Sequence, residues 1–159
     1  MYDFSADDVF EIADQLERNG ADFYRTAAEV VDESGPRALL LKLAEMEEDH
    51  RKIFAGMRSA LADEEKLPDF DLHAETVRYL KALADTRVFF EKEMDTSSME
   101  AILKDAVIAE KDSIVFYLGM RDAVPEEKGR SRLNDIIKEE MGHIVLLSKE
   151  LKALEKPGT

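Results

Sequence analysis

Apolar residues recur along the chain in steps of three and four, the period of helices buried on one side. The first stripe is Val9, Ala13, Leu16, Gly20, Phe23, Ala27 and Val30. Ser5 is placed to cap it, with Asp7 and Asp8 in the first turn, where carboxylates favour the helix dipole. Ser34-Gly35-Pro36 is expected to end this helix and begin the next, Gly as stop and Pro in the first turn. The second stripe is Leu39, Leu43, Met46, His50, Ile53, Met57 and Ala60. So short a turn makes the two helices antiparallel neighbours. A third stripe, capped by Ser98 and stopped by Val124-Pro125, is Ile102, Ala106, Ala109, Ser113, Phe116, Met120 and Ala123. The fourth, expected from Glu126 to Glu155, turns Leu133, Ile137, Glu140, Ile144, Leu147, Leu151 and Leu154 inward.

Residues 62–97 separate the helix pairs 5–61 and 98–155. After a break at Pro68-Asp69-Phe70-Asp71, an extra helix is expected from His73 to Met94, with Val77, Leu80, Ala84 and Val88 on one side. A helix of about 28 residues is about 42 Å long. A partly helical connection of about 36 residues can run back along it, so the second and third bundle helices should be parallel. The pattern predicts an all-α single domain over 1–159, a four-helix bundle with a long helical crossover. Val88-Phe89-Phe90 spreads three large apolar groups around the crossover helix, more than one inner face buries, and predicts a homodimer or small oligomer. Lys156-Pro-Gly-Thr159 is expected to fray, with no fifth helix after it.

The two helix pairs are copies. Glu47-Glu48-Asp49-His50 returns 93 positions later as Glu140-Met141-Gly142-His143, and Glu17-Arg-Asn-Gly-Ala-Asp-Phe-Tyr24 returns as Glu110-Lys-Asp-Ser-Ile-Val-Phe-Tyr117. A Glu and a His three apart stand a turn apart on one face and can reach one metal ion. Each copy therefore carries Glu, then thirty residues later Glu-x-x-His.

Composition narrows the chemistry. There is no cysteine, which excludes disulfides, zinc ribbons, iron–sulfur clusters and thiol catalysis. The net charge of −14 repels nucleic acid and anionic membranes and attracts cations. The acidic start lacks the basic and apolar segments of a signal peptide, and no run approaches a membrane span, which together predict a cytoplasmic protein.

On four helices the inward polar residues are Glu17, Glu47, His50, Glu110, Glu140 and His143. Four carboxylates in one core repel and are costly to ionise, whereas two divalent ions would neutralise them. Carboxylate with imidazole suits iron or manganese, and the lack of thiolate argues against structural zinc. Two carboxylates can bridge the ions while one Glu and one His bind each terminally. Tyr24 and Tyr117, seven residues past Glu17 and Glu110, could hydrogen-bond a ligand carboxylate or supply a proton or electron. His73 has no repeat partner and is expected in solvent; Glu45, Glu48, Asp49 and Glu139 are expected to point away from the centre.

The series Glu, Glu-x-x-His, Glu, Glu-x-x-His over residues 5–155 resembles the ferritin-like di-iron carboxylate proteins, and among them the rubrerythrins. The resemblance implies a ferritin-like bundle holding two iron ions, for which manganese or zinc could substitute, in a centre reacting with hydrogen peroxide or dioxygen. It implies peroxide reduction in oxidative-stress defence, with electrons from a separate donor protein; iron storage by ferroxidase chemistry and a purely structural metal are the alternatives. Rubrerythrins usually carry a further Glu three residues past the third-helix ligand, where this chain has Ser113, and often a cysteine-bearing rubredoxin domain, which this cysteine-free chain lacks. A fixed six-ligand centre, with both His bound in both oxidation states, is the expected result.

Overall fold

The computed structural model describes residues 4–63, 75–86, 93–124, 126 and 129–155. Every element among them is a helix: α1 Ala6–Val30, α2 Ser34–Asp63, α3 Glu75–Thr86, α4 Met99–Ala123 and α5 Arg130–Glu155. His73 and the Val88-Phe89-Phe90 triplet lie outside the described residues.

Local chemistry sets the ends. Ser5 and Asp8 form a reciprocal capping box, the Asp8 N–H donating to the Ser5 hydroxyl at 3.3 Å and the Ser5 N–H to Asp8 Oδ2 at 2.7 Å. Ser98 Oγ accepts from the Ala101 N–H at 3.1 Å and starts α4. The end of α1 differs from expectation. The chain leaves the helix at Val31, whose extended backbone buries its own side chain and leaves Val30 exposed, and α2 already begins at Ser34. Pro36 still falls in the first turn, where a missing N–H costs nothing.

A paired device closes α1 and α4. Arg37 Nε donates to the Val31 carbonyl at 2.9 Å, and Arg130 Nε donates to the Val124 carbonyl at 2.8 Å. Both residues of each pair are repeat equivalents, so the duplication extends to how each hairpin satisfies its terminal carbonyls.

Two expected boundaries move. The fourth bundle helix starts at Arg130, not Glu126, because Gly129 sits at φ 119°, a left-handed backbone that a helix cannot continue through. The crossover helix does not reach Met94. Residues 93–96 are irregular, held by Ser97 N–H on Asp95 Oδ1 at 2.9 Å and Asp95 N–H on Asp105 Oδ2 at 3.0 Å, local bonds that compete with helix. α3 lies on α4 at Gly119, where a Cβ would come 2.8 Å from the Tyr79 ring, and the Tyr79 hydroxyl donates to the Val115 carbonyl at 3.0 Å.

The apolar interior falls into two clusters. One joins the start of α1 (Val9, Phe10), the end of α2 (Phe54, Met57), the end of α4 (Phe116, Met120), the start of α5 (Leu133, Ile137) and Leu80 of α3. The other joins the opposite ends: Phe23 and Ala27, Leu40 and Leu43, Ile102 and Ala106, and Leu147. Each of the four long helices thus passes from one cluster to the other, and α2 and α4 run parallel, as the crossover predicts. Leu154, at the far end of its stripe, is exposed. Between the clusters lies a layer of buried charge.

Candidate metal centre

That layer is built by the middle turns of four helices. α1 supplies Glu17, α2 supplies Glu47 and His50, α4 supplies Glu110, and α5 supplies Glu140 and His143; all six are at most 3 % exposed. Both imidazoles turn Nδ1 towards the acids. His50 Nδ1 lies 2.7 Å from Glu140 Oε1 and 3.4 Å from Glu17 Oε2. His143 Nδ1 lies 3.2 Å from Glu110 Oε1 and 3.4 Å from Glu47 Oε1. Two overlapping sets follow, Glu17, Glu47, His50 and Glu140 in one and Glu47, Glu110, Glu140 and His143 in the other, each with one ligand atom per residue within 4.8 Å of the rest. Glu47 and Glu140 are shared, as bridging carboxylates are.

The donor set fits metal ions on its own chemistry. Glu17 Oε2, Glu47 Oε1, Glu110 Oε2 and both Glu140 oxygens are buried and make no hydrogen bond. Leaving such atoms unpaired costs several kcal/mol each by order of magnitude, and cations at the shared positions remove that cost. Without metal the acids compensate by holding protons. Burial pushes Glu17 up to about 7, against the lowering from Glu47 and the Tyr117 hydroxyl. Burial, then the charges of the neighbouring acids, push Glu47 and Glu140 well above the usual carboxylate range. Glu110 goes the other way, because contacts with Glu140, His143 and Tyr24 outweigh its burial. His143 rises to about 9, the nearby Glu110 and Glu47 carboxylates overcoming the opposing effect of burial.

Residues 8–151 match the sequence model of the family described as Rubrerythrin. The chain belongs to the rubrerythrin family. A crystal structure of a protein from Thermotoga maritima, described as a ferritin-like diiron-carboxylate protein, superposes with a TM-score of 0.69 over 96 % of this chain and 97 % of that one, at 22 % identity. That likeness supports the ferritin-like helical fold. No curated protein matches the chain.

Around this rubrerythrin-family centre the tyrosines are crossed. The Tyr24 hydroxyl of α1 donates to Glu110 Oε1 of α4 at 2.5 Å, and the Tyr117 hydroxyl of α4 donates to Glu17 Oε1 of α1 at 2.6 Å. Each repeat therefore orients the carboxylate of the other that belongs to one ligand set only. Burial first, then the adjacent carboxylate charge, holds both phenols well above their usual value, so both remain protonated donors. Tyr117→Phe is expected to weaken metal binding about ten-fold at the Glu17 position and leave the Glu110 position unchanged, with Tyr24→Phe doing the reverse. Chelator competition on both variants checks this; an equal loss at both positions in either variant contradicts it.

One neighbour departs from expectation. Glu139 does not point away: its Oε2 lies 2.6 Å from His50 Nε2, across the bundle on α2. It stands next to Glu140 on α5, but a long side chain on a helix flank reaches the facing helix. The signal in the sequence was the broken repeat, since the equivalent position is Met46. Glu48 pairs with Arg25 at 3.0 Å and Arg51 at 3.2 Å, and Asp49 with Lys52 at 3.1 Å, away from the centre; Glu45 is exposed.

A cavity of about 280 Å³ leads to the centre between α1 and α4, with Tyr24, Glu47, Glu110 and Ser113 at its buried end and Asp22 and Glu93 at its exposed end. Gly20 makes room for it: a Cβ there would come 3.1 Å from Glu47 Oε2. Ser113 lines this cavity one turn beyond Glu110, where the resemblance leads one to look for a further Glu.

Proposed function

We propose that the protein is a di-iron oxidoreductase that reduces hydrogen peroxide with electrons from a separate redox protein. The observation that carries the reading is the pair of overlapping ligand sets sharing Glu47 and Glu140 in a rubrerythrin-family chain. Glu17 and His50 would hold one iron terminally, Glu110 and His143 the other. Ferrous ions held by these residues would supply the two electrons that, with two protons, convert H2O2 to two waters. The chain's own residues do the rest. The cavity admits a molecule of peroxide size to the Glu47 and Glu110 end, the two phenols keep the terminal carboxylates in register, and the two half-cores keep bulk water from the other sides. With no cysteine among these residues, no thiol or iron–sulfur group here can relay the electrons, and the reading takes them from a separate redox protein. We include a cytoplasmic homodimer in this reading; among the described residues no helix is long and apolar enough to cross a membrane.

Anaerobic loading with iron(II), metal analysis and stopped-flow spectra test the reading. Two irons per chain are expected, with oxidation by peroxide much faster than by oxygen. A stoichiometry of zero or one would overturn the dinuclear centre. Fast oxidation by oxygen alone, with particles of cage size in light scattering, would favour storage instead.

A further inference from the structure

The two repeats supply the same ligands, but the structure does not treat the two positions alike. His50 Nε2, the nitrogen directed away from the acids, meets Glu139 Oε2 at 2.6 Å. His143 Nε2 is equally buried and makes no hydrogen bond among the described residues. The repeat explains the difference, because Met46 occupies the position equivalent to Glu139 and cannot accept from an imidazole as a carboxylate does. The cavity is lopsided as well. Of the six ligands only Glu47, shared by both sets, and Glu110, which belongs to the His143 set alone, line it.

We propose, resting on the dinuclear reading, that the two metal positions are inequivalent. The His50 position is braced by Glu139, and it retains its ion. The His143 position is unbraced, has its own ligand Glu110 on the cavity wall, and is where ions exchange and small exogenous ligands bind. A carboxylate on the outer nitrogen of a ligating imidazole fixes its tautomer and orientation and raises its basicity, and losing it typically costs about 10- to 100-fold in metal affinity. Glu139 is in this sense a positioning residue: it acts through His50. Its half-exposed side chain lets it be exchanged without disturbing the buried layer. Glu110 lines the cavity and its counterpart Glu17 does not, so the ligand through which solvent reaches one set and not the other belongs to the His143 set.

The test is to crystallise the protein with one equivalent of cobalt(II) per chain and compare occupancies by anomalous scattering. The His50 position is expected to be filled in preference by about ten-fold or more. Glu139→Met should bring the two occupancies to near parity. Glu139→Gln, whose amide oxygen still accepts from Nε2, should recover part of the preference. Adding Met46→Glu to Glu139→Met should move the preference to the His143 position. In fully loaded crystals soaked with azide, the anion should sit on the His143-position ion. Equal occupancy in the unaltered protein, a preference that survives Glu139→Met, or azide on the His50-position ion would overturn the proposal while leaving the dinuclear reading standing. Cobalt at neither position would overturn that reading itself.

Discussion

Glu140→Gln is expected to make the metal-free protein more stable and, at the same time, to lose metal at both positions. Both Glu140 oxygens are buried without hydrogen bonds, and the residue belongs to both ligand sets. At pH 8 the folded chain must either keep this carboxylate ionised among three others or hold a proton that the unfolded chain releases. Glutamine avoids both costs, and its amide N–H can donate to His50 Nδ1, which lies 2.7 Å from Glu140 Oε1. The expected gain is about 2 kcal/mol, or about 4–8 °C in Tm for a domain of this size. Metal affinity should fall by roughly 100-fold or more at both positions, because a neutral amide replaces a bridging charge. Glu110→Gln, in one set only, should impair the His143 position alone. Calorimetry with and without metal, together with chelator competition, reads both effects. A metal-free Glu140→Gln protein less stable than its parent, or one position left at its original affinity, would remove Glu140 from the bridging role.

The metal-free protein is expected to lose stability as pH rises from about 4.5 to about 9. Glu17 has its folded value pushed up to about 7 from 4.5, chiefly by burial, and Glu47 and Glu140 lie well above the usual range for the same first cause. In that window the folded chain holds protons the unfolded chain has released, so stability falls with pH. His143, raised to about 9, acts in the same direction above its unfolded value of 6.5. Glu110 opposes them, but its lowered value places its effect below pH 4.5. Glu17 alone contributes about 3 kcal/mol, at about 1.4 kcal/mol per pH unit. Added metal should reverse the slope, since it binds the deprotonated ligands. Urea unfolding of chelator-stripped protein at pH 5, 6, 7 and 8 checks this; stability that is flat or rises across those points would show that the four acids do not share a desolvated layer.

The bundle was legible because its signals are periodic and repeated. Steps of three and four placed His50 and Glu140 in inward stripes, and the 93-residue repeat singled out Glu17 and Glu110 and matched the two Glu-x-x-His segments. What stayed hidden depends on contacts between helices or on single backbone angles. Glu139 lies beside a ligand in sequence, yet its partner His50 is on another helix. Gly129 delays α5 through a positive φ, which no apolar stripe registers. Arg37 and Arg130 also repeat, but their task is to meet the Val31 and Val124 carbonyls, and a search for inward-facing residues passes over them. Gly20, part of an apolar stripe, matters for the space it leaves beside Glu47.

The division of the interior by a charged slab has a consequence for how the molecule opens. Each half-core draws on all four long helices, so neither can detach as a folded fragment. In the metal-free state, however, the slab supplies repulsion where a continuous core would supply cohesion. Amide exchange in the turns around Glu17, Glu47, Glu110 and Glu140 should then proceed through openings well below the global unfolding energy, while the Phe10 and Leu43 ends stay protected. Ions at the slab would bind the ends into one cooperative unit, making the centre the hinge on which the protein's dynamic range turns.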